Sequence, residues 1–310
     1  MNNWEKKGLI FNVNSDFEWN HSHAQVPVVD ILENKLRIYY STRDKNNRSS
    51  ISYIEVSKEN PKEIIYIHNR PILPFGKLGT FDDCGLMPSS IINVNNKKFL
   101  YYIGWTTRGS VPYHNAVGLA ISDDEGNSFK KIGEGPIITT NYKEPYFSGT
   151  SFVIKEDHIF RMYYLSCIKW EVINNKPEPF YDIKLAESQN GIDWLQSGKT
   201  VIKLKNDEGG LVSASVIKIK KDYFMWFGKR GFKNYRTDIN QSYKIGFAKS
   251  KNGIDWDRHD NLSGIELSEN GWDSKMISYP YVIKLKNKLL MFYNGNGFGK
   301  SGFGYAEMRL

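Results

Sequence analysis

Met162-Tyr163-Tyr164 is an apolar-aromatic run that returns about every 62 residues, as Ile38-Tyr39-Tyr40, Leu100-Tyr101-Tyr102, Met225-Trp226-Phe227 and Met291-Phe292-Tyr293. Aromatic and β-branched residues suit half-buried strands. A repeat of this length, rich in short strands, is the signature of a β-propeller with one blade per repeat. Five repeats consume nearly all of the 310 residues. The sequence therefore predicts an all-β fold, a five-bladed β-propeller in a single domain over residues 1–310. Its blades fall at approximately 20–75, 76–140, 141–204, 205–265 and 266–310 plus 7–13.

The third repeat shows the plan of a blade. A first strand runs near Gly149 to Ile154, and Lys155-Glu156-Asp157-His158 turns the chain. Ile159 to Leu165 is the second strand, a long loop follows, and Tyr181 to Glu187 is the third. Asn190-Gly191 turns again, and Trp194 opens an outer strand. Alternation and turn residues support each assignment. The other first strands are Val26-Pro27-Val28-Val29, Met87-Pro88-Ser89-Ser90, Ser213-Ala214-Ser215-Val216 and Tyr279-Pro280-Tyr281-Val282. The last repeat stops after its third strand, whereas Gly8-Leu9-Ile10-Phe11-Asn12-Val13 precedes the first repeat. That segment is expected to supply the outer strand of the last blade, which closes the ring and removes an open sheet edge.

Composition narrows the partners. The formal net charge is +8, but Lys is spread over turns such as Asn96-Lys97-Lys98 and no long basic run occurs, so a nucleic-acid partner is not expected. Cys84 and Cys167 form neither a disulfide framework nor a metal-spaced pair, and no cofactor or metal is expected. The start, Met1-Asn2-Asn3-Trp4-Glu5-Lys6-Lys7, has no long apolar segment behind its charges. No signal peptide or membrane span is expected, and the cytoplasm is the default location. The sequence carries no signal for oligomeric state. Aromatic residues make up 14% of the chain. Packing between strands accounts for most of them, and ring faces also stack on sugars.

Strand direction sorts the loops. The segments before each first strand and the loops between second and third strands share one end, and these are the longer and more varied ones. Function usually sits on such loops. Before the first strands lie Phe81-Asp82-Asp83-Cys84-Gly85, Glu144-Pro145-Tyr146, Asp207-Glu208-Gly209-Gly210 and Gly271-Trp272-Asp273-Ser274. The first repeat differs, with Asn20-His21-Ser22-His23-Ala24-Gln25. The other loops add Arg43, Trp105, Arg108, Trp170, Arg230 and Arg236. Arginines neutralise clustered carboxylates or grip anionic groups. The candidates for catalysis are Asp83, Glu144 and His23. The candidates for binding a carbohydrate or sugar-containing small molecule are His21, Gln25, Arg43, Asp82, Trp105, Arg108, Trp170, Glu208, Arg230, Arg236 and Asp273. His21 and His23, two residues apart, would share one face of a regular strand. Each acid also has a plain structural alternative, as a turn cap or loop residue.

Three turns carry a box: Ser122-Asp123-Asp124-Glu125-Gly126-Asn127-Ser128-Phe129, and the shorter Ser188 to Trp194 and Ser250 to Trp256. The first resembles the Asp-box of sialidase-like propellers, a mark of fold in which the aromatic packs back on its blade. With the repeat, the elements Ala186 to Trp194 and Ala248 to Trp256, and the acids before the inner strands, the chain resembles the five-bladed propeller superfamily of glycoside hydrolase families 43, 32, 68, 117 and 130. The resemblance spans essentially the whole chain. It implies acids around an axial pocket, with Asp83 or Asp82 at the second-blade position and Glu144 at the third. The first-blade acid has no clear counterpart, and His21, His23 and Gln25 take its place. The implied activity is glycoside-hydrolase-like, with Glu144 as general acid, Asp83 as base or transition-state stabiliser and His23 as the alternative proton carrier. Two alternatives remain open: a phosphorylase or transferase acting on an anionic or activated sugar, and a sugar-binding propeller without catalysis.

Overall fold

The repeated aromatic runs are the second strands of antiparallel meanders. The computed structural model describes residues 3–310 and is nearly all β. β1 (Glu5–Phe11) is followed by β2 (Ser22–Ile31), β3 (Lys35–Arg43), β4 (Ser49–Ser57) and β5 (Ile64–Ile67). The second meander is β6 (Gly85–Val94), β7 (Lys97–Thr107), β8 (Tyr113–Ser122) and β9 (Lys130–Lys131). The third is β10 (Ser148–Glu156), β11 (Ile159–Ile173), β12 (Lys176–Ser188) and β13 (Leu195–Ile202). The fourth is β14 (Glu208–Ile219), β15 (Asp222–Gly231), β16 (Lys244–Ser250) and β17 (Asp257–Arg258). β18 (Ser278–Leu285), β19 (Lys288–Asn294) and β20 (Phe303–Arg309) complete the order.

β1 pairs antiparallel with β20, placing Lys6 opposite Ala306 and Phe11 opposite Phe303. The N-terminal segment thus joins the sheet β1-β20-β19-β18, as its position in the sequence suggests. The remaining strands form two eight-stranded sheets, each joining two meanders through one parallel bridge, Ser49 to Gly85 and Tyr181 to Gly210. Among the inner strands, β2 touches β6, β6 touches β10, β10 touches β14, β14 touches β18, and β18 touches β2.

Successive meanders are pinned by a recurring bond. The Tyr39 hydroxyl donates to the Gly126 carbonyl at 3.0 Å, Tyr101 to Gly191 at 2.9 Å and Tyr163 to Gly253 at 2.8 Å. Each donor is the middle residue of a second-strand run, and each acceptor is the box glycine of the next meander. Gly126, Gly191 and Gly253 all have positive φ, which glycine adopts without strain. The box aromatic packs edge-on against the same tyrosine, Phe129 on Tyr39, Trp194 on Tyr101 and Trp256 on Tyr163. The sequence pattern points to packing within a blade; the structure instead makes each box a lock between neighbours. Within the first box, Asp124 accepts from Ser122 and Ser128. Burial opposes these bonds, yet they hold the Asp124 carboxyl down at about 2.

The expected long loop after the third repeat's second strand is not a loop. β11 and β12 continue to Ile173 and Lys176 as one ribbon, turned by Asn174 and Asn175. Both asparagines have positive φ, 52° and 61°, as a two-residue hairpin of primed type demands.

All five inner strands carry a register irregularity at an equivalent place: Gln25 to Val28, Pro88 to Ser90, Ser148 to Ser151, Val212 to Ser215 and Ser278 to Tyr281. Val26, Ser213 and Tyr279 adopt positive φ there. A bulge re-aims side chains that strict alternation would send elsewhere. For β-branched Val26 the conformation is costly, about 1–3 kcal/mol, and is held by its surroundings. The Asn294 side chain accepts from the Val26 N–H at 2.7 Å and donates to the Ala24 carbonyl.

Candidate functional site

The bulges turn their residues into a hollow where the inner strands meet. Val26, Met87, Gly149, Thr150, Val212 and Tyr279 line its inner part, one or more from each inner strand. Tyr113, Asn115, Tyr181 and Tyr243 add aromatic and amide groups. Met87, Tyr113, Asn115 and Tyr279 are shared with a wider outer part of about 410 Å³, which also draws in Gln25, Arg43, Asn47, Ser49 and Trp105. A further recess, of about 470 Å³, lies at the turns between Lys58, Glu59, Lys284 and Lys288 and holds no aromatic residue. The hollow is the candidate site because every inner strand contributes to it.

Its polar groups are held in place. The Trp105 indole N–H donates to the Ser49 hydroxyl at 2.8 Å. The Arg43 Nε donates to Gln25 Oε1 at 2.9 Å, and Gln25 is fully buried. Trp170 packs against Tyr113 and Phe147 and so backs the wall behind Tyr113. Arg230, buried, donates to the Tyr181 hydroxyl at 2.9 Å and to the carbonyls of Gly231 and Pro179. Its guanidinium also sits 3.9 Å from the Tyr235 ring centre, and the Tyr181 and Tyr243 hydroxyls are hydrogen-bonded to each other.

Among the described residues, no carboxylate lines either part of the hollow. The acids expected there are bound up elsewhere. Glu144 is buried; Tyr164 Oη lies 2.8 Å from Oε1, Ser166 donates to Oε2 at 2.7 Å, and Lys184 lies 3.5 Å from Oε2. Asp82 accepts from Tyr102 at 3.1 Å and pairs with Lys131 at 2.6 Å. Asp273 accepts from Tyr293 at 3.0 Å and pairs with Lys6 at 2.8 Å. In the fourth repeat the tyrosine is Phe227, and Arg258 supplies the missing donors: it bonds Glu208 and stacks 5.1 Å from the Phe227 ring centre. In the first repeat the equivalent position is Asn20, which accepts from Thr42 at 3.2 Å. The acid thus has its first-repeat counterpart at Asn20, not at His21, His23 or Gln25. Spacing carries the signal: 20 residues separate each of Asp82, Glu144 and Asp273 from its tyrosine.

Asp83 is only partly buried and accepts from the Gly79 N–H at 2.9 Å. Burial works against ionisation, but hydrogen bonds from Gly79, Thr106 and Cys84 hold its carboxyl below the ordinary range. The Cys84 N–H donates to the Trp105 carbonyl, so Asp83 adjoins the strand that carries Trp105.

The histidines do not share a face. His21 is exposed, whereas His23 is partly buried with φ of 66°, which breaks the alternation. His23 Nδ1 lies 2.9 Å from the Ser22 hydroxyl. Burial, and then the charges of Arg43 and Lys300, push its imidazole down to about 4. Burial and Arg108 do the same to His114. Arg108 itself is exposed, and Arg236 is paired with Glu178 at 2.6 Å.

Of the predicted binding residues, the hollow gathers Gln25, Arg43 and Trp105, with Trp170 and Arg230 behind its walls. It does not gather Asp82, Glu144, Glu208 or Asp273. Sequence reasoning missed Tyr113, Asn115, Tyr181, Tyr243 and Tyr279. The i, i+2 pair Tyr113 and Asn115 at the start of a third strand was the one available signal.

No protein-family model matches the chain. The chain is similar to "Uncharacterized protein MT1551" of Mycobacterium tuberculosis (strain CDC 1551 / Oshkosh), 34% identical over 307 residues, covering 98% of this chain and 99% of that protein. "Uncharacterized protein Rv1502" of strain ATCC 25618 / H37Rv matches to the same extent. Among solved structures, one described as "Glycoside hydrolase" superposes with a TM-score of 0.77 at 17% identity, over 100% of this chain and 92% of that one. A "thermostable family-43 glycoside hydrolase" gives 0.67 at 17%, over 96% and 91%. A structure described under "The GH130 family of mannoside phosphorylases contains glycoside hydrolases that target beta-1,2 mannosidic linkages in Candida mannan" gives 0.72 at 13%, over 99% and 94%. The fold is that of the β-propeller glycoside hydrolases. No helix among the described residues is long and apolar enough to cross a membrane.

Proposed function

The chain and the two Mycobacterium tuberculosis proteins belong to one family, and on that premise we propose that it is a carbohydrate-active five-bladed β-propeller that receives a sugar-containing ligand in its axial hollow. The blades are those drawn from the repeat, in one domain, with β1 as the outer strand of the last. The cyclic order of contacts among β2, β6, β10, β14 and β18 supports that reading.

The observation that carries the sugar assignment is the composition of the hollow. Trp105, Tyr113 and Tyr279 offer ring faces for the C–H face of a pyranose, and Gln25, Asn47, Ser49 and Asn115 offer fixed polar groups for its hydroxyls. A mostly apolar concavity with a few oriented polar groups is the common form of a small-molecule site. Several solved neighbours are described as glycoside hydrolases, which supports the class of ligand by fold analogy alone.

A second reading is transfer or hydrolysis at a glycosidic bond with Asp83 as base, favoured by its ionised carboxylate beside the Trp105 strand. Glu144 serves as general acid in that reading only by leaving Tyr164, Ser166 and Lys184. A glycoside and nucleotide-sugar panel, with and without phosphate, tests both readings on wild type, Asp83→Asn and Glu144→Gln. Turnover lost in a folded Asp83→Asn variant supports the enzyme. Binding without turnover supports the first reading alone, and neither binding nor turnover removes both.

A further inference from the structure

Several arginines are held in ion pairs. Arg37 pairs with Glu55, Arg48 with Asp44, Arg161 with Glu156, Arg236 with Glu178 and Arg258 with Asp260. Among the described residues that are not exposed, Arg43 and Arg230 make no ion pair, and both stand at the hollow. Arg230 is satisfied by neutral oxygens and ring faces. Arg43 is not. Its Nε is spent on Gln25, and no group among the described residues accepts from its two terminal amino groups. Arg43 is partly exposed to the cavity, and an uncompensated guanidinium there is open to an anion.

The surroundings repeat the sign. Lys300, exposed and in no ion pair among the described residues, joins Arg43 in adding to the burial that pushes the His23 imidazole down. Among the described residues, the wall holds no carboxylate. Gln25 fixes the guanidinium by its Nε, and Arg43 lines the cavity with its two terminal amino groups unspent, the pair that takes an oxyanion in a fork.

We infer that Arg43, oriented by Gln25, is an anion seat in the hollow, and that the sugar-containing ligand carries a carboxylate or a phosphoryl group bound there. The inference rests on the hollow being the sugar site. Trp105 and Tyr279 border the same cavity, so one ligand can stack its ring and present its charge to Arg43 together. Lys300 adds long-range attraction, which salt screens more than it screens the seat itself.

Calorimetric titration with glucose, glucuronic acid, glucose 6-phosphate and inorganic phosphate tests it, on wild type, Arg43→Gln and Arg43→Lys. The seat predicts that wild type binds at least one charged sugar tenfold or more tighter than glucose. Arg43→Gln loses that preference, and Arg43→Lys keeps part of it. The stronger of the two charged sugars identifies the group. The His23 imidazole, followed by NMR, titrates at higher pH once the seat is filled, because the charge of Arg43 is then offset. This readout does not depend on any variant folding. Equal affinity for glucose and both charged sugars overturns the seat, as does unchanged anion binding in Arg43→Gln, or no binding of any probe. Phosphate binding lost in Arg43→Gln, with no sugar bound, upholds the seat and removes the sugar reading instead.

Discussion

The Tyr164 hydroxyl lies 2.8 and 2.9 Å from the two carboxylate oxygens of Glu144, 20 residues earlier in the chain. The same relation joins Tyr102 to Asp82 and Tyr293 to Asp273, each acid also meeting a lysine. A device repeated in this way ties the loop before an inner strand to the strand beside it. Its acids are therefore expected to contribute to stability.

Glu144→Gln leaves Lys184 without its counter-charge in a buried place. Breaking a buried, hydrogen-bonded charge network costs about 3 kcal/mol. Urea denaturation is expected to show a loss of about that size, with Asp82→Asn behaving alike through Lys131. Ligand affinity, measured on folded protein, stays unchanged in both.

Tyr101→Phe removes the hydroxyl that holds the Gly191 carbonyl of the next meander. The ring still packs on Trp194, so the loss is that of one buried hydrogen bond, about 1 kcal/mol. Calorimetry is expected to show a Tm about 2 °C lower for a chain of this size. An unchanged Tm would remove the box from the account of how neighbouring meanders hold together.

His23 titrates near pH 4 in the folded state, against an ordinary value of 6.5. Between those values the unfolded state binds more protons at this ring. Its contribution to stability is complete above about pH 6.5 and is lost as pH falls through about 4. An NMR titration is expected to place the midpoint near 4; one near 6.5 contradicts the burial of this ring beside Arg43.

Asp182 runs the other way. Burial pushes its carboxyl up to about 6, with Thr200 and Lys184 opposing and Glu144 adding to the rise. The folded state then holds this proton more tightly. Its contribution is complete below an ordinary carboxyl value of 3.8 and is lost as pH rises through about 6. Asp182→Asn is expected to flatten the pH dependence of unfolding free energy between those limits.

The fold was legible because its signals are local and repeated. The aromatic runs, the Asn-Gly turns and the unpartnered segment at 7–13 each point to a strand or a turn, and β1 does pair with β20. The site was less legible, for two reasons. Bulges at Val26, Ser213 and Tyr279 reverse the alternation on which side-chain directions depend, so Tyr279 enters the hollow unannounced. The acids stood at the same offset before each inner strand, but their hydrogen-bond partner lies across the meander. Tyr102, Tyr164 and Tyr293 read from the sequence as core aromatics, and their hydroxyls meet the acids only in three dimensions. Arg43 ends its second strand and Trp105 lies two residues from the end of its own, so strand direction alone places both at the outer part of the hollow.

The central claim is that the acid-free hollow, not the buried carboxylates, receives the ligand. Binding isotherms for any carbohydrate that the panel yields, taken on wild type, Trp105→Ala and Glu144→Gln, test it most directly. The account predicts affinity lost at least tenfold in Trp105→Ala and retained in folded Glu144→Gln. The reverse result, with Glu144→Gln abolishing binding and Trp105→Ala leaving it intact, would contradict it.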